Sequence, residues 1–514
     1  MENSVKANTS QKKQPLCHYS NYQSIIQGLI NSDRARGLPG LAQVNPENLI
    51  SIRQELELMD PAGVLFPIPM KSIHIGNGVL QTLSTIIDPL VPGQKILLIS
   101  DGVNILCGNE SLKEKICTFL GRNHAVKRIV LNEKNGGELH ASEAHIAPII
   151  ESLQDISCVV GIGGGTVADL CKYAMHMAGT DLPLVLIQTM LSVNAFSDGV
   201  SVILKNGVKR TVQSRFPSIL LIDMDAVRHA PMERNLSGYG DLMATWTAPA
   251  DWLLAHKLGM SSRYHRAPYE MLRFQSLELL FNSGDLRAKK LESFDLLARV
   301  LTLSGLSMGI AGESSPASGA EHTIAHLLDM FSESRGLPLA FHGAQVGVSS
   351  LIMACAWDAF LNDFDSSTVD LDACFPDAAS MESMVRFAFH GLDETGALPQ
   401  ECWGDYLKKL NCWHEHREQL SHFLGEWTLI KDQFRNIVLS PELLVECMHQ
   451  AGAPTRFCRL NPAIDKAAAL WAIKNCHLYR ARFTLVDFLF FLGMWNDAFI
   501  DRIMDRLELI DAGF

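Results

Sequence analysis

Between residues 66 and 228 six short apolar runs recur roughly 20 to 35 residues apart, with helix-like or turn-like segments between most of them: IHIGNGVL, KILLISDG, VKRIVLN, CVVGIGGG, LPLVLIQT and SILLIDMD. Short buried strands alternating with helices predict a largely parallel sheet covered on both faces. After about residue 228 the strand signals stop. Long helical patterns such as SFDLLARVLTLSGLSMGI, EHTIAHLLDMF and QVGVSSLIMACAWDAFL follow. The expected architecture is therefore an α/β Rossmann-like domain over 66–228 and an all-α domain over 229–514, with the boundary near AVRHAPM. Residues 1–20 are polar and read as a flexible tail; 21–65 read as a helical extension.

A chain of 514 residues favours more than one compact unit. With 47% hydrophobic and 19% charged residues it has ample material for a core. A formal net charge of -12 speaks against a broad nucleic-acid face. The most apolar stretch noted, FTLVDFLFFLGMW, carries Asp487 in its middle and reads as a buried helix, so no membrane span is expected. The start lacks a secretory h-region and the 12 cysteines form no CxxC pairs, which suits reduced thiols in the cytoplasm. A homodimer is compatible with the chain.

The run CVVGIGGGTVADLCKYAMH turns from strand to helix at Gly163, Gly164 and Gly165. Glycines let a ligand approach the backbone, and the free N–H groups of a helix N-terminus suit a pyrophosphate. The same glycines serve equally for a tight turn with close helix–sheet packing. Asp101, at the end of KILLISD, could accept from a ribose hydroxyl and disfavour a 2′-phosphate, or simply cap a turn. In EHTIAH, His322 and His326 share one helical face; His342 follows in AFHG and Asp241 lies in SGYGDLMATW. Imidazole and carboxylate ligands suit zinc or ferrous iron, although paired histidines also occur on ordinary surface helices.

Taken in order, these stretches resemble the iron-containing alcohol dehydrogenase superfamily, which includes glycerol dehydrogenases, dehydroquinate synthases and glycerol-1-phosphate dehydrogenases. They are most similar to the bacterial type of the glycerol-1-phosphate dehydrogenase branch. The likeness rests on GIGGGTVADLCKYAMHMAG, on NGVKRTVQSRFPSILLIDMDAVRHAPMERNLSGYGDLMATWTAPADW, on SGAEHTIAHLLDM with FHGAQVGV, and on AGAPTRF with HLYRARFTLVDFLFFLG. It spans roughly 65 to 500 and implies a dehydroquinate synthase-like architecture.

The resemblance implies one divalent metal (zinc, iron or nickel) on Asp241, His322 and His342, with His326 near the substrate as binder or proton relay. It implies NAD or NADP at Gly163, Gly164, Gly165, Thr166 and Asp169, with further contacts from Thr189 and Ser192. Asp101 falls at the adenosine-ribose position and favours NAD. The implied reaction interconverts a small phosphorylated polyol and its ketone, sn-glycerol-1-phosphate and dihydroxyacetone phosphate. Of the cations that could meet a phosphate, Lys205, Lys209, Arg210 and Arg215 lie in the right part of the chain.

The chain departs from the family at Asn194, which stands where an Asp contacts substrate; its spacing of 47 residues to Asp241 is the family's. Asparagine has nearly the shape of aspartate but no charge, and cannot act as a base. Asp198 replaces a serine and brings a negative charge near the cofactor, or compensates for Asn194. An altered substrate, a slow reaction or a catalytically impaired homologue with a binding role are the expectations this raises. FSESRGLPL, between the histidines, suggests a reshaped pocket wall. A dehydroquinate synthase-like cyclase, using NAD without net redox change, is the other enzymatic reading; DGVSVILKNG stands in place of its GGKTG segment and argues against it.

Overall fold

The computed structural model describes residues 44–514 except 93, 134–138, 206–207 and 394. The expected tail and the first part of the helical extension, up to residue 43, lie outside the described residues; within 44–65 a helix covers Leu49–Met59.

All six apolar runs are strands. They are β1 (Ser72–Gly76), β2 (Lys95–Asp101), β3 (Ala125–Leu131), β4 (Cys158–Gly163), β5 (Leu184–Gln188) and, last in the chain, β8 (Ile219–Asp223). They form one sheet in the order β1-β8-β5-β4-β2-β3, every neighbouring pair parallel. The central strands β2, β4, β5 and β8 are buried on both faces, which is why they read as unbroken apolar runs; the edge strands β1 and β3 are only partly covered. Ile96, Leu98, Val160 and Ile187 pack into one core. Leu97, Ile99, Val159 and Leu186 pack into the other, as the two-residue period of a strand requires.

Between β5 and β8 the chain makes an antiparallel hairpin of β6 (Val200–Lys205) and β7 (Val208–Gln213), running from Val200↔Gln213 to Lys205↔Val208. Nothing in the apolar pattern pointed to it. Helix α1 (Gly165–Met177) follows β4, with only Gly164 between.

Beyond β8 the long elements are helical: α2 (Met232–Asp241), α3 (Leu291–Ala311), α4 (Ala320–Ser334), α5 (His342–Asp363) and α6 (Ala397–Glu415) among them. The helices α3 and α5 are long and apolar enough to cross a membrane, where the sequence suggested none. They are core helices here, with 83% and 89% of their apolar windows buried inside the protein. Every cysteine among the described residues is free.

Helices α2 and α5 cross at very short range. A Cβ on Gly240 would stand 2.4 Å from the Gly343 carbonyl oxygen, and one on Gly343 would stand 2.1 Å from that of Ser237. The two helices thus meet backbone to backbone, which only glycine permits. The contact carries Asp241, at the end of α2, against His342, at the start of α5.

Candidate active site

The carboxyl ends of β2, β4 and β5, the loop after β5, and the facing ends of α2, α4 and α5 enclose a cavity of about 750 Å³. Open α/β sheets bind ligands at that edge. Asp101, Gly164, Gly165, Thr166, Asp169, Thr189, Ser192 and Asn194 line it on one side; Asp241, His322, His326 and His342 line it on the other. The cavity therefore gathers the candidate cofactor, metal and catalytic residues of the sequence, all except Gly163.

Gly163 is the correction. Its backbone ends β4, and a Cβ there would lie 2.6 Å from Val167 Cγ2. That glycine serves helix–strand packing. Gly165 has a similar constraint from Val193 Cγ2 at 2.6 Å, but lines the cavity as well. Gly164 meets nothing closer than Met190 Sδ at 3.5 Å and caps α1 without any side-chain hydrogen bond. The first turn of α1 thus keeps its N–H groups for an anion. Thr189 Oγ1, buried just after β5, has no hydrogen-bond partner among the described residues. These features fit a dinucleotide phosphate.

Asp101 lies at the end of β2 but is not a lone charge. Lys113 Nζ donates to its carboxylate, to its own carbonyl at 2.7 Å and to the Val103 carbonyl at 2.6 Å. The Val103 N–H also donates to Asp101 Oδ1 at 3.1 Å, so the turn-capping and cavity-facing readings are both true of this residue. Asp198 also lines the cavity. It is buried against Lys172 of α1, whose Nζ also donates to the Ala195 carbonyl at 2.6 Å. Lys172 thus faces its charge from inside the fold. Asp169 shares that lysine at 3.6 Å. Burial pushes the Asp169 carboxyl up to about 7, against the pull of Lys172.

Asp241, His322 and His342 present ligand atoms that all lie within 4.8 Å of one another. His322 Nε2 is 3.4 Å from Asp241 Oδ1, and its Nδ1 pairs with Glu321 Oε1 at 3.0 Å. A carboxylate behind a histidine orients the ring and leaves its other nitrogen for a metal. Burial alone would lower the His322 pKa; the Asp241 and Glu321 carboxylates more than offset it and raise it. Burial, with Lys209 and His322 nearby, holds the His342 imidazole well below the ordinary value, in the neutral form that coordinates metals. Among the described residues Asp241 Oδ1 and His342 Nδ1 are buried with no hydrogen-bond partner. Buried polar atoms of this kind suit a bound ion, and one aspartate with two imidazoles is a donor set for a divalent transition metal. The residues fit the ion.

Asn194 joins the two sides. Its backbone N–H donates to Asp241 Oδ2 at 3.1 Å, and its side-chain amide donates to Ser304 Oγ at 3.0 Å on α3. His326 Nδ1 accepts from Arg480 Nη2 at 2.7 Å, and its ring stacks on His342 with centroids 5.0 Å apart. Burial first, then the Arg480 and His342 charges, hold His326 well below its ordinary pKa.

Of the four cations noted in the sequence, only Lys209 reaches the cavity, and it is held by Asp329 Oδ2 at 2.5 Å. Lys205 pairs with Glu143, Arg210 with Glu401 and Asp405, and Arg215 with the Thr180 carbonyl. Sequence reasoning missed Arg480 and Ser304. Neither stands at an interpretable spacing from the residue it touches.

Residues 74–231 match the family model for iron-containing alcohol dehydrogenase. Among curated proteins, glycerol-1-phosphate dehydrogenase [NAD(P)+] of Bacillus subtilis is 29% identical over 245 residues, 46% of this chain and 61% of that protein. The Pyrococcus horikoshii protein of the same name is 29% identical over 290 residues, 55% of this chain and 78% of its own length. The alignment thus spans under two thirds of the Bacillus relative. In fold, the iron-containing alcohol dehydrogenase of Thermococcus thioreducens superposes with a TM-score of 0.51 at 14% identity, covering 84% of this chain and 99% of its own. Glycerol dehydrogenase from Schizosaccharomyces pombe gives 0.50 at 15%, covering 84% and 90%. Over residues 74–231 the chain is thus similar to the iron-containing alcohol dehydrogenases, and over about half its length to glycerol-1-phosphate dehydrogenases.

Proposed function

We propose that the protein is a metal-dependent, NAD(P)-linked dehydrogenase that interconverts a small polyol phosphate and its ketone, sn-glycerol-1-phosphate and dihydroxyacetone phosphate being the preferred pair. One observation carries the reading. A three-ligand donor set and an uncapped helix N-terminus face each other across a single cavity. The polyol phosphate and the dinucleotide come from the likeness to glycerol-1-phosphate dehydrogenases [NAD(P)+].

When bound, the metal would supply Lewis acidity to an alkoxide oxygen and the nicotinamide would supply or accept hydride. Asp241, His322 and His342 would hold the ion, with Glu321 fixing the His322 ring. Gly164, Gly165 and Thr166, at the start of α1, would hold the pyrophosphate. Because Lys113 neutralises Asp101, the ribose end is less hostile to a 2′-phosphate than a lone aspartate would be. His326 offers the cavity a ring nitrogen with no partner among the described residues. Lys209 adds a cation on the same side, where a substrate phosphate could compete with Asp329 for it.

The test is absorbance of the reduced nicotinamide with dihydroxyacetone phosphate, with and without chelator. Metal-dependent consumption supports the reading. Ketone left unchanged, with metal and dinucleotide bound, overturns it in favour of an impaired homologue; product without net cofactor change favours the cyclase.

A further inference from the structure

His326 is in contact with two very different neighbours. On one side is the cavity, and on the other is Arg480, in the stretch between the helices Lys466–Asn475 and Leu485–Phe491. Arg480 is 9% exposed. Its Nη2 reaches both His326 Nδ1, at 2.7 Å, and the Lys209 carbonyl of β7, at 3.0 Å. The guanidinium is thus anchored on β7 as well as on the ring.

A guanidinium has five donors, no acceptor, and does not deprotonate in proteins. His326 Nδ1 must therefore accept, and a neutral ring carries its single proton on the other nitrogen. That nitrogen, Nε2, is buried and has no partner among the described residues. The stack on His342, with planes 25° apart, leaves the ring little freedom to turn over.

We propose that Arg480 is a positioning residue that fixes His326 as the Nε2–H tautomer, so that the ring presents a hydrogen-bond donor to an oxygen acceptor in the cavity. The geometry is independent of the reaction; the catalytic consequence rests on the dehydrogenase reading. Under that reading the acceptor is the carbonyl or alkoxide oxygen of the substrate. His326 then orients and polarises this oxygen without giving up its proton, since loss of the Nε2 proton would leave an imidazolate.

The test uses the full-length, metal-free protein labelled with ¹⁵N in histidine, the His326 ring signals being identified by their loss in His326→Gln. Long-range ¹H–¹⁵N correlations of the wild type should give the Nε2–H pattern. Arg480→Met should convert it to a mixture or to the Nδ1–H form, whereas Arg480→Lys, which keeps a cationic donor, should preserve it. An Nδ1–H ring in the wild type overturns the proposal, as does a folded Arg480→Met protein with an unchanged ring. Should Arg480→Met not fold, loss of the Nε2–H pattern in Arg480→Lys overturns it and retention supports it. In turnover, Arg480→Met should lower kcat by about 10- to 100-fold with dinucleotide affinity unchanged. A protein with the Nε2–H ring that turns over no polyol or ketone sinks the dehydrogenase reading and leaves the assignment of Arg480 standing.

Discussion

The backbone N–H of Asn194 donates to Asp241 Oδ2 at 3.1 Å, across 47 residues of chain. The loop after β5 is thereby tied to the donor set, and residue 194 stands beside a buried carboxylate. The neutral amide there spares Asp241 a second negative charge. Asn194→Asp keeps the link to Ser304, because a serine hydroxyl can donate as readily as accept. It adds carboxylate–carboxylate repulsion of about 1 to 4 kcal/mol at contact range. The metal-free variant should melt below the metal-free wild type, and added divalent ion should raise its Tm by more than it raises the wild type's. Equal shifts in the two proteins would show that residue 194 does not sense the ion.

Metal itself should stabilise the fold. An ion that binds only the native state contributes about 2.7 kcal/mol at a hundredfold excess over its Kd. Chelation should therefore lower the Tm of protein purified with its ion, and zinc or ferrous iron should restore it. In His342→Ala, elemental analysis should find the ion lost and calorimetry should find no metal-dependent shift. Retention of the ion by this variant would remove His342 from the donor set.

The three consecutive glycines should separate into two kinds. Gly163→Ala forces a methyl into Val167 and should cost about 1–3 kcal/mol by urea unfolding. Gly164→Ala meets only ordinary contacts at Met190 and should leave the urea midpoint almost unmoved. It should nevertheless weaken dinucleotide binding about tenfold or more by titration calorimetry, since the methyl intrudes where N–H groups would meet a phosphate. Wild-type affinity in Gly164→Ala would break the link between this turn and the cofactor.

Asp169 gives a pH signature. Its carboxyl titrates at about 7 in the folded protein because of burial, against 3.8 as the ordinary value. Between those two pH values the folded state holds a proton that the unfolded chain lacks. Stability from this group is therefore full below about 4 and falls as pH rises towards 7. Asp169→Asn lacks that slope. Its stability relative to wild type should increase from pH 4 to pH 7, read as urea midpoints in a pH series; parallel profiles would contradict the placement of Asp169 beside Lys172 and Asp198.

The parts of the fold legible in the sequence were those with one-dimensional signals. Strands buried on both faces, β2, β4, β5 and β8, write continuous apolar runs, and the long core helices write their own period. The hairpin β6–β7 escaped because its half-exposed strands mix Lys and Thr with Val. In the site, His322 and His326 are neighbours on one helical turn, and the glycine turn lies between a strand and a helix. Gly240 and Gly343 lie beside Asp241 and His342 in the quoted motifs. Their meaning as a helix crossing depends on two elements far apart in the chain. Arg480 is 154 residues from His326, and Ser304 is 110 from Asn194. Contacts at such separations leave no spacing to read.

The hairpin has a mechanical consequence. By connectivity it belongs with the sheet, yet Lys209 grips Asp329 of α4, Arg210 grips Glu401 and Asp405 of α6, and Arg480 holds the Lys209 carbonyl. Prising the sheet away from the helices would rupture all of these attachments together. Sheet and helices are therefore fastened to each other right beside the cavity, through a segment that belongs to neither.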